Sequence, residues 1–183
     1  ALMGYDNKMI RRFTEMAVQN PKRVVFAEAN HANMLSAAVT AYQEGICFPI
    51  LLGNTDYIHS VAEQNGLNLD GLEIVNLRSG EETERREKYA KILAQKRQRE
   101  GITLDEAREK MFDRNYFGMM MVEVGDADAF ITGTYTKYTE TIQIAKDVIG
   151  IREGHKHFGA MHIMNTKKGT YFLADTCLLY TSD

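Results

Sequence analysis

Residues 115–149, NYFGMMMVEVGDADAFITGTYTKYTETIQIAKDVI, constrain the fold more than any other stretch, because they set a helix, a buried strand and another helix in immediate succession. Phe117, Met120, Met121 and Val124 recur at helical spacing on one face, and Gly125 stands where a left-handed residue ends a helix. The pattern then predicts a strand over 127–132 with both faces buried, as in a parallel sheet covered by helices. Gly133 lets the backbone turn. Thr134, Thr136, Thr139 and Thr141 place hydroxyls beside the first N–H groups of the next helix, a setting that suits an anionic group. Threonine is equally a common cap and loop residue, so the same stretch also fits a turn with no ligand.

The rest of the chain repeats the alternation. Strands are predicted at 23–27, 48–52 and 72–77, and helices at 33–44, closed by Gly45, and from a Thr55 cap to about residue 65, closed by Gly66. A long charged helix is predicted over 81–99, with Glu84–Lys88 and Glu87–Lys91 at i, i+4 spacing. Thr103 and Glu106 form a capping box that starts a further helix. After the helix over 139–149 and Gly150, two strands at 157–164 and 170–174 read as a hairpin around a turn at 165–169. The expected class is α/β, with a mostly parallel sheet carrying helices on both faces. The lobe boundary falls near 150–154, where the alternation gives way to the hairpin.

Composition excludes several classes. A chain of 183 residues is long enough for one sizeable core. A net charge of −3 gives no electrostatic reason to expect nucleic acid or an anionic membrane as partner. No apolar run approaches the roughly 20 residues of a membrane span, and no signal peptide opens the chain. Cys47 and Cys177 have no metal-like spacing and fit a reducing compartment, the cytoplasm, with Cys47 as a small core residue. There is no GxGxxG, GxxxxGK[ST] or GxSxG, so the nucleotide-binding and nucleophile-elbow readings that rest on these motifs fail. Methionines 119, 120 and 121 read as core filler.

Particular words carry a family resemblance. Tyr116-Phe117-Gly118-Met119-Met120-Met121-Val122, Gly125-Asp126-Ala127-Asp128-Ala129 and Thr132-Gly133-Thr134-Tyr135-Thr136-Lys137-Tyr138-Thr139-Glu140-Thr141 resemble, in order, the YFGTMMV, GDADG and SGAVHTTADT words of the phosphate acetyltransferase family. Val24-Val25-Phe26-Ala27-Glu28 and Phe48-Pro49-Ile50-Leu51-Leu52-Gly53 agree as well, so the resemblance runs over about 22–176. The wording TGTYTKY and HFGAMHIMNTKKGTYFLADT is closer still to the phosphotransacetylase-like region on the C-terminal side of large NADP-dependent malic enzymes. That implies a phosphotransacetylase-like lobe, of the isocitrate/isopropylmalate-dehydrogenase-like kind, over 21–150, and the start of a second lobe over 151–176. Residues 1–20 would then be a connecting helix from an upstream domain, patterned by Met9, Ile10, Phe13, Met16 and Ala17. Residues 177–183 depart from the wording and read as foreign or as a truncation scar. About half of the phosphotransacetylase-like region would lie outside the chain, leaving apolar faces uncovered.

The resemblance also points to ligand-binding residues. An arginine a few residues before the family's KGMT word falls on Arg97, whose fork of donors suits a phosphate or carboxylate. A solvated helix face formed by Lys96, Arg97 and Arg99 is the alternative. The family's second arginine, in a TxRPAL context, falls on Gln143, which hydrogen-bonds without neutralising charge. The expected ligand-binding set is Arg97, Gly133, Thr134, Thr136, Lys137, Thr139, Thr141 and Gln143, with no catalytic residue and no metal ligand. His31 sits in the first strand-to-helix turn, where Asn30 and Asn33 also make an ordinary polar turn. His155, His157 and His162 are read as exposed or satisfied rather than metal-bound.

The implied function is that of a regulatory, acetyl-CoA-sensing part of a malic enzyme, itself catalytically incomplete. Acetyl-CoA would be the effector, the upstream malic enzyme domains the partner and a homo-oligomer the assembly. NADP and a divalent metal would belong to the parent alone, and no cofactor to this chain. The alternatives are a fragment of a phosphate acetyl- or butyryltransferase, moving an acyl group between CoA and phosphate, and a non-catalytic oligomerisation lobe.

Overall fold

Every second residue of the first two strands faces the same side, and that alternation places two cores on opposite faces of one sheet. The structure, a computed structural model, describes residues 8–135, 137–151, 153–155, 158–166 and 168–174. They divide into two compact units, one of 17–149 and the other of the described residues in 8–16 and 150–174.

The larger unit holds β1 (Lys22–Phe26), α2 (Ala32–Gln43), β2 (Cys47–Leu52), α3 (Thr55–Gln64) and β3 (Glu73–Val75). There follow α4 (Thr83–Arg97) with a short 3₁₀ turn, α5 (Leu104–Lys110), α6 (Arg114–Glu123), β4 (Ala129–Ile131) and α7 (Tyr138–Val148). The helix preceding them is α1 (Lys8–Gln19). The four strands pair in parallel in the order β3-β2-β1-β4. Val25 of β1 and Ile50 and Leu52 of β2 pack with the helices α4 to α7, whereas Phe26 of β1 and Cys47 and Leu51 of β2 pack with α2 and α3. Two covered faces are the burial that a purely parallel sheet requires.

Several elements depart from the spacing-based expectation. β4 is three residues long, half-buried, and lies at an edge of the sheet among the described residues. Its expected first residues serve the connection instead: Ala127 N–H donates to Met121 O at 3.0 Å and Asp128 N–H to Arg23 O at 2.9 Å. The cap of α3 is Asn54, whose side chain accepts from Tyr57 N–H at 2.9 Å, not Thr55. The capping box holds, with Thr103 Oγ1 accepting from Glu106 N–H at 3.2 Å.

α6 buries all its sides rather than one. Asn115, Phe117, Gly118, Met119, Met120 and Met121 are all buried, because the helix lies within the face-one core with α7 packed on it. Gly118 allows the approach to the sheet: a Cβ there would meet the Phe130 ring at 2.5 Å. Gly125, with φ +83°, ends the helix as its position predicts.

In the long helix, Glu87 pairs with Lys91 at 3.4 Å and more closely with Arg108 at 2.8 Å. Lys88 lies over the Tyr89 ring.

The second unit contains the hairpin β5 (Met161–Thr166) and β6 (Gly169–Ala174), paired antiparallel with Thr166 opposite Gly169. Its strands run closer to the turn than expected, and the expected start at His157 and the tail at 177–183 lie outside the described residues. No helix among the described residues is long and apolar enough to cross a membrane.

Candidate functional site

β1 lies between β2 and β4, and the chain leaves β1 toward β2 but returns to its other side as β4. In an open parallel sheet this reversal separates the loops at the carboxyl ends of the two strands, the usual place for a ligand. Here the loops meet instead. Phe26 is in register with Ile131, and Ala27 N–H donates to Ile131 O at 3.1 Å, so the turn after β1 runs beside the turn after β4.

Glu28 leaves the first turn fully buried, and its carboxylate accepts three successive backbone N–H groups of the second. Gly133 donates to Oε2 at 3.2 Å, Thr134 to Oε2 at 2.6 Å and Tyr135 to Oε1 at 2.8 Å. Gly133 permits this with φ +129°, a conformation that disfavours a side chain. Burial works to raise the carboxyl pKa, but the donors from Tyr135, Thr134 and Gly133, joined by the Thr134 hydroxyl, outweigh it and hold it below the ordinary value.

The nest expected to receive an external anion therefore already contains an internal one. Glu28 closes one of the family words in the sequence, which gave it no role. Its partners lie more than 100 residues away, and only the adjacency of a strand-end glutamate to a glycine-led loop hinted at it.

The remaining polar groups surround this carboxylate nest. Thr132 Oγ1 donates to Asn115 Oδ1 at 3.0 Å. His31 caps α2, its Nδ1 accepting from Asn33 N–H at 3.3 Å, and its ring meets Tyr135 edge-on at 5.5 Å.

The expected ligand residues divide between the two ends of α7. Gly133, Thr134, Lys137 and Thr139 stand exposed at its N-terminal end; Lys137 is the cap residue by backbone geometry but makes no side-chain cap bond. Thr141 turns its hydroxyl back to Lys137 O at 3.3 Å, and Thr136 lies outside the described residues.

Arg97 is at the other end, roughly 16 Å away by the rise of an α-helix. Its Nε donates to Asp147 O and its Nη2 to Lys146 O, both at 2.6 Å, and its Nη1 pairs with Glu100. Lys96 joins it there, donating to Val148 O at 2.7 Å and Ile149 O at 3.1 Å. Both cations satisfy carbonyls that end α7 and oppose its negative pole. Neither faces the threonine loop.

Gln143 is exposed, and its Nε2 donates to Asp147 Oδ1 at 2.9 Å within the same helix. Asp147 also accepts from the Tyr116 hydroxyl at 2.7 Å. Burial and that bond push the phenol's pKa up. Among the described residues no group of histidines, cysteines and carboxylates is arranged to hold a metal ion. His157 lies outside them.

A second concavity opens at the carboxyl ends of β1, β2 and β3. It is a cleft of about 350 Å³ lined by Asn30, Asn54, Asn76, Arg78 and Arg114, with Tyr57 and Phe112 as aromatic walls. Nothing in the sequence pattern singled out this set.

Comparison with known proteins agrees with the fold. The phosphate acetyl/butaryl transferase family model matches residues 8–181. A phosphate acetyltransferase of Thermoanaerobacterium thermosaccharolyticum is 33% identical over 174 residues, which cover 91% of this chain and 51% of that protein. An NADP-dependent malic enzyme of Rhizobium meliloti is 30% identical over 172 residues, 92% of this chain but 22% of the enzyme. The chain thus spans about a fifth to about half of these relatives' lengths. A phosphotransacetylase from Streptococcus pyogenes superposes with a TM-score of 0.78 at 22% identity, over 93% of this chain and 51% of that one, a likeness of fold. With a family match that runs almost from end to end, this chain belongs to the phosphate acetyl/butaryl transferase family.

Proposed function

We propose that the chain is part of a regulatory, acetyl-CoA-sensing phosphotransacetylase-like region of an NADP-dependent malic enzyme. The parent's upstream domains would then oxidatively decarboxylate malate to pyruvate, using NADP and a divalent metal that this chain does not bind. The observation that carries the reading is Gln143. By the family resemblance it falls on the position of the second arginine, and it is exposed and tied to Asp147 within its own helix. Acyl transfer between CoA and phosphate needs cations against a dianion, and an amide supplies no charge. Binding an acyl-CoA makes a smaller demand.

The effector's acidic groups would meet side chains rather than the backbone nest, because Glu28 occupies the donors of Gly133, Thr134 and Tyr135. Lys137 and Thr139 remain at the N-terminal end of α7, where the helix dipole also favours an anion. Arg97 would contribute indirectly, by fixing the helix from its far end. Such a ligand regulates only if it binds one state of the parent more tightly than another. A cytoplasmic homo-oligomer completes the proposal.

The identity to a phosphate acetyltransferase, as high as that to malic enzymes, keeps a transferase fragment as the competing reading. The test is to titrate the whole protein that carries this chain with acetyl-CoA, following heat, malate oxidation and phosphate-dependent release of CoA. The expected result is saturable binding that changes malate oxidation and is weakened by Lys137→Ala with Thr139→Val. Phosphate-dependent CoA release at enzymatic rates would establish the transferase instead, and absence of binding would leave only an assembly role.

A further inference from the structure

We infer that the cleft at the carboxyl ends of β1, β2 and β3 is a binding site for a phosphate-bearing molecule with a flat ring, of the mononucleotide class. It is separate from the β4–α7 loop and does not depend on the function proposed above.

The inference rests on which polar valences remain unused. Asn30 Oδ1 accepts from Arg114 Nη1 at 3.2 Å, Asn54 Oδ1 from Tyr57 N–H at 2.9 Å, and Asn76 Oδ1 from Arg78 N–H at 3.2 Å. Each asparagine has thus committed its acceptor to the protein, and its amide NH2 has no partner among the described residues. The Arg78 guanidinium is exposed and has no side-chain partner there either, while Arg114 makes only its bond to the neutral amide of Asn30. None of the lining residues is a carboxylate. The nearest acids in sequence serve elsewhere: Asp113 caps α6, accepting from Asn115 and Tyr116 N–H at 2.8 and 3.1 Å, and Asp56 lines a different concavity.

The unspent side-chain capacity of the cleft is therefore dominated by amide donors and guanidinium charge, with no carboxylate to oppose an anion. A ligand that complements it must be rich in acceptors and negatively charged, and a phosphate meets a guanidinium fork with two parallel bonds. The volume, about 350 Å³, falls within the range of small-molecule sites and exceeds what a free phosphate fills. The remainder is bounded by Tyr57, 55% exposed, and by Phe112, 45% exposed with the Arg86 guanidinium 4.8 Å over its ring. The outer face of an aromatic ring left in water is a stacking surface for a planar group. A strand-end position in a parallel sheet is also where such ligands bind.

The test is calorimetric titration of the full chain with ADP, at low and raised salt, beside adenosine and inorganic phosphate. The expected result is saturable, salt-weakened ADP binding, with phosphate competing weakly and adenosine binding far less well. Arg78→Ala should weaken ADP about tenfold or more, and Arg78→Lys should recover part of the loss. Arg78 is exposed with a free guanidinium, so an unchanged thermal melt is expected for both variants. Lys137→Ala should leave ADP affinity unchanged. Absence of saturation, or equal affinity in wild type and Arg78→Ala, overturns the inference. Loss of ADP binding in Lys137→Ala alone also overturns it, by moving the ligand to the β4–α7 loop, where the regulatory reading would survive.

Discussion

The Glu28 carboxylate accepts the Thr134 N–H at 2.6 Å across 106 residues of sequence. With the parallel donors from Gly133 and Tyr135 it locks the turn after β1 to the turn after β4. A backbone nest that would otherwise invite a solvent anion is thereby converted into a structural clasp at the reversal point of the sheet.

Glu28→Gln should cost stability at neutral pH, because the amide loses the charge and turns an NH2 group toward backbone donors. The expected loss is about 1.5–3 kcal/mol, the worth of hydrogen bonds to a charged group. The folded carboxyl pKa lies below its ordinary 4.5, so its contribution is complete above that value and disappears as pH falls through the lower folded value. Urea unfolding at pH 7 and in mild acid reads the difference between wild type and variant. It should shrink in acid, and a gap independent of pH would dissociate the clasp from its charge.

Gly118→Ala sets two effects against each other. Alanine favours the helix by about 1 kcal/mol, but its Cβ would stand 2.5 Å from Phe130 Cε2 and 3.1 Å from Leu52 Cδ1. Overpacking of about 1–3 kcal/mol should prevail. Adding Phe130→Leu should relieve the clash, so the double variant should unfold at higher denaturant than Gly118→Ala alone. A double variant less stable than the single would show that the ring is not the obstacle.

The α3 cap separates two adjacent residues that sequence cannot rank. Asn54→Ala should lose about 1 kcal/mol in chemical denaturation, and Thr55→Ala little, because the bond to Tyr57 N–H belongs to Asn54. The reverse order would move the cap back to Thr55.

Local chemistry was legible where it acts over a few residues. The alternation in β1 and β2 announced a sheet covered on both faces, glycines 45, 66 and 125 marked left-handed helix ends, and Thr103 with Glu106 announced a cap. The family words identified the fold. What stayed hidden is set by partners far away in sequence: Glu28 has its donors 105 to 107 residues on, and Arg97 its carbonyls 49 and 50 residues on. A periodicity argument has no access to such pairs. It also assigned one buried face to α6, because a helix between a sheet and another helix loses its polar side without losing its period.

Arg97→Met tests what that arginine does. The variant keeps an apolar stem but removes the donors to Lys146 O and Asp147 O, leaving helix-end carbonyls to solvent. About 1–2 kcal/mol of stability should be lost, with hydrogen exchange accelerated most in the last turn of α7. If acetyl-CoA affinity of the parent protein fell while α7 exchange stayed unchanged, Arg97 would be a direct ligand contact instead.

Cys47 offers a last check on the second core. Its side chain is 6% exposed among Phe26, Leu51 and Ile58, and burial pushes its thiol pKa up. Both effects suppress the thiolate that reacts with disulfide reagents. In a Cys177→Ser background, native protein at pH 8 should therefore modify slowly, at a rate limited by opening of the α2–α3 face, and denaturant should release it to the speed of a free thiol. Rapid native modification would mean that this face opens readily, and that β2 is covered less firmly on the α2–α3 side than on the α4–α7 side.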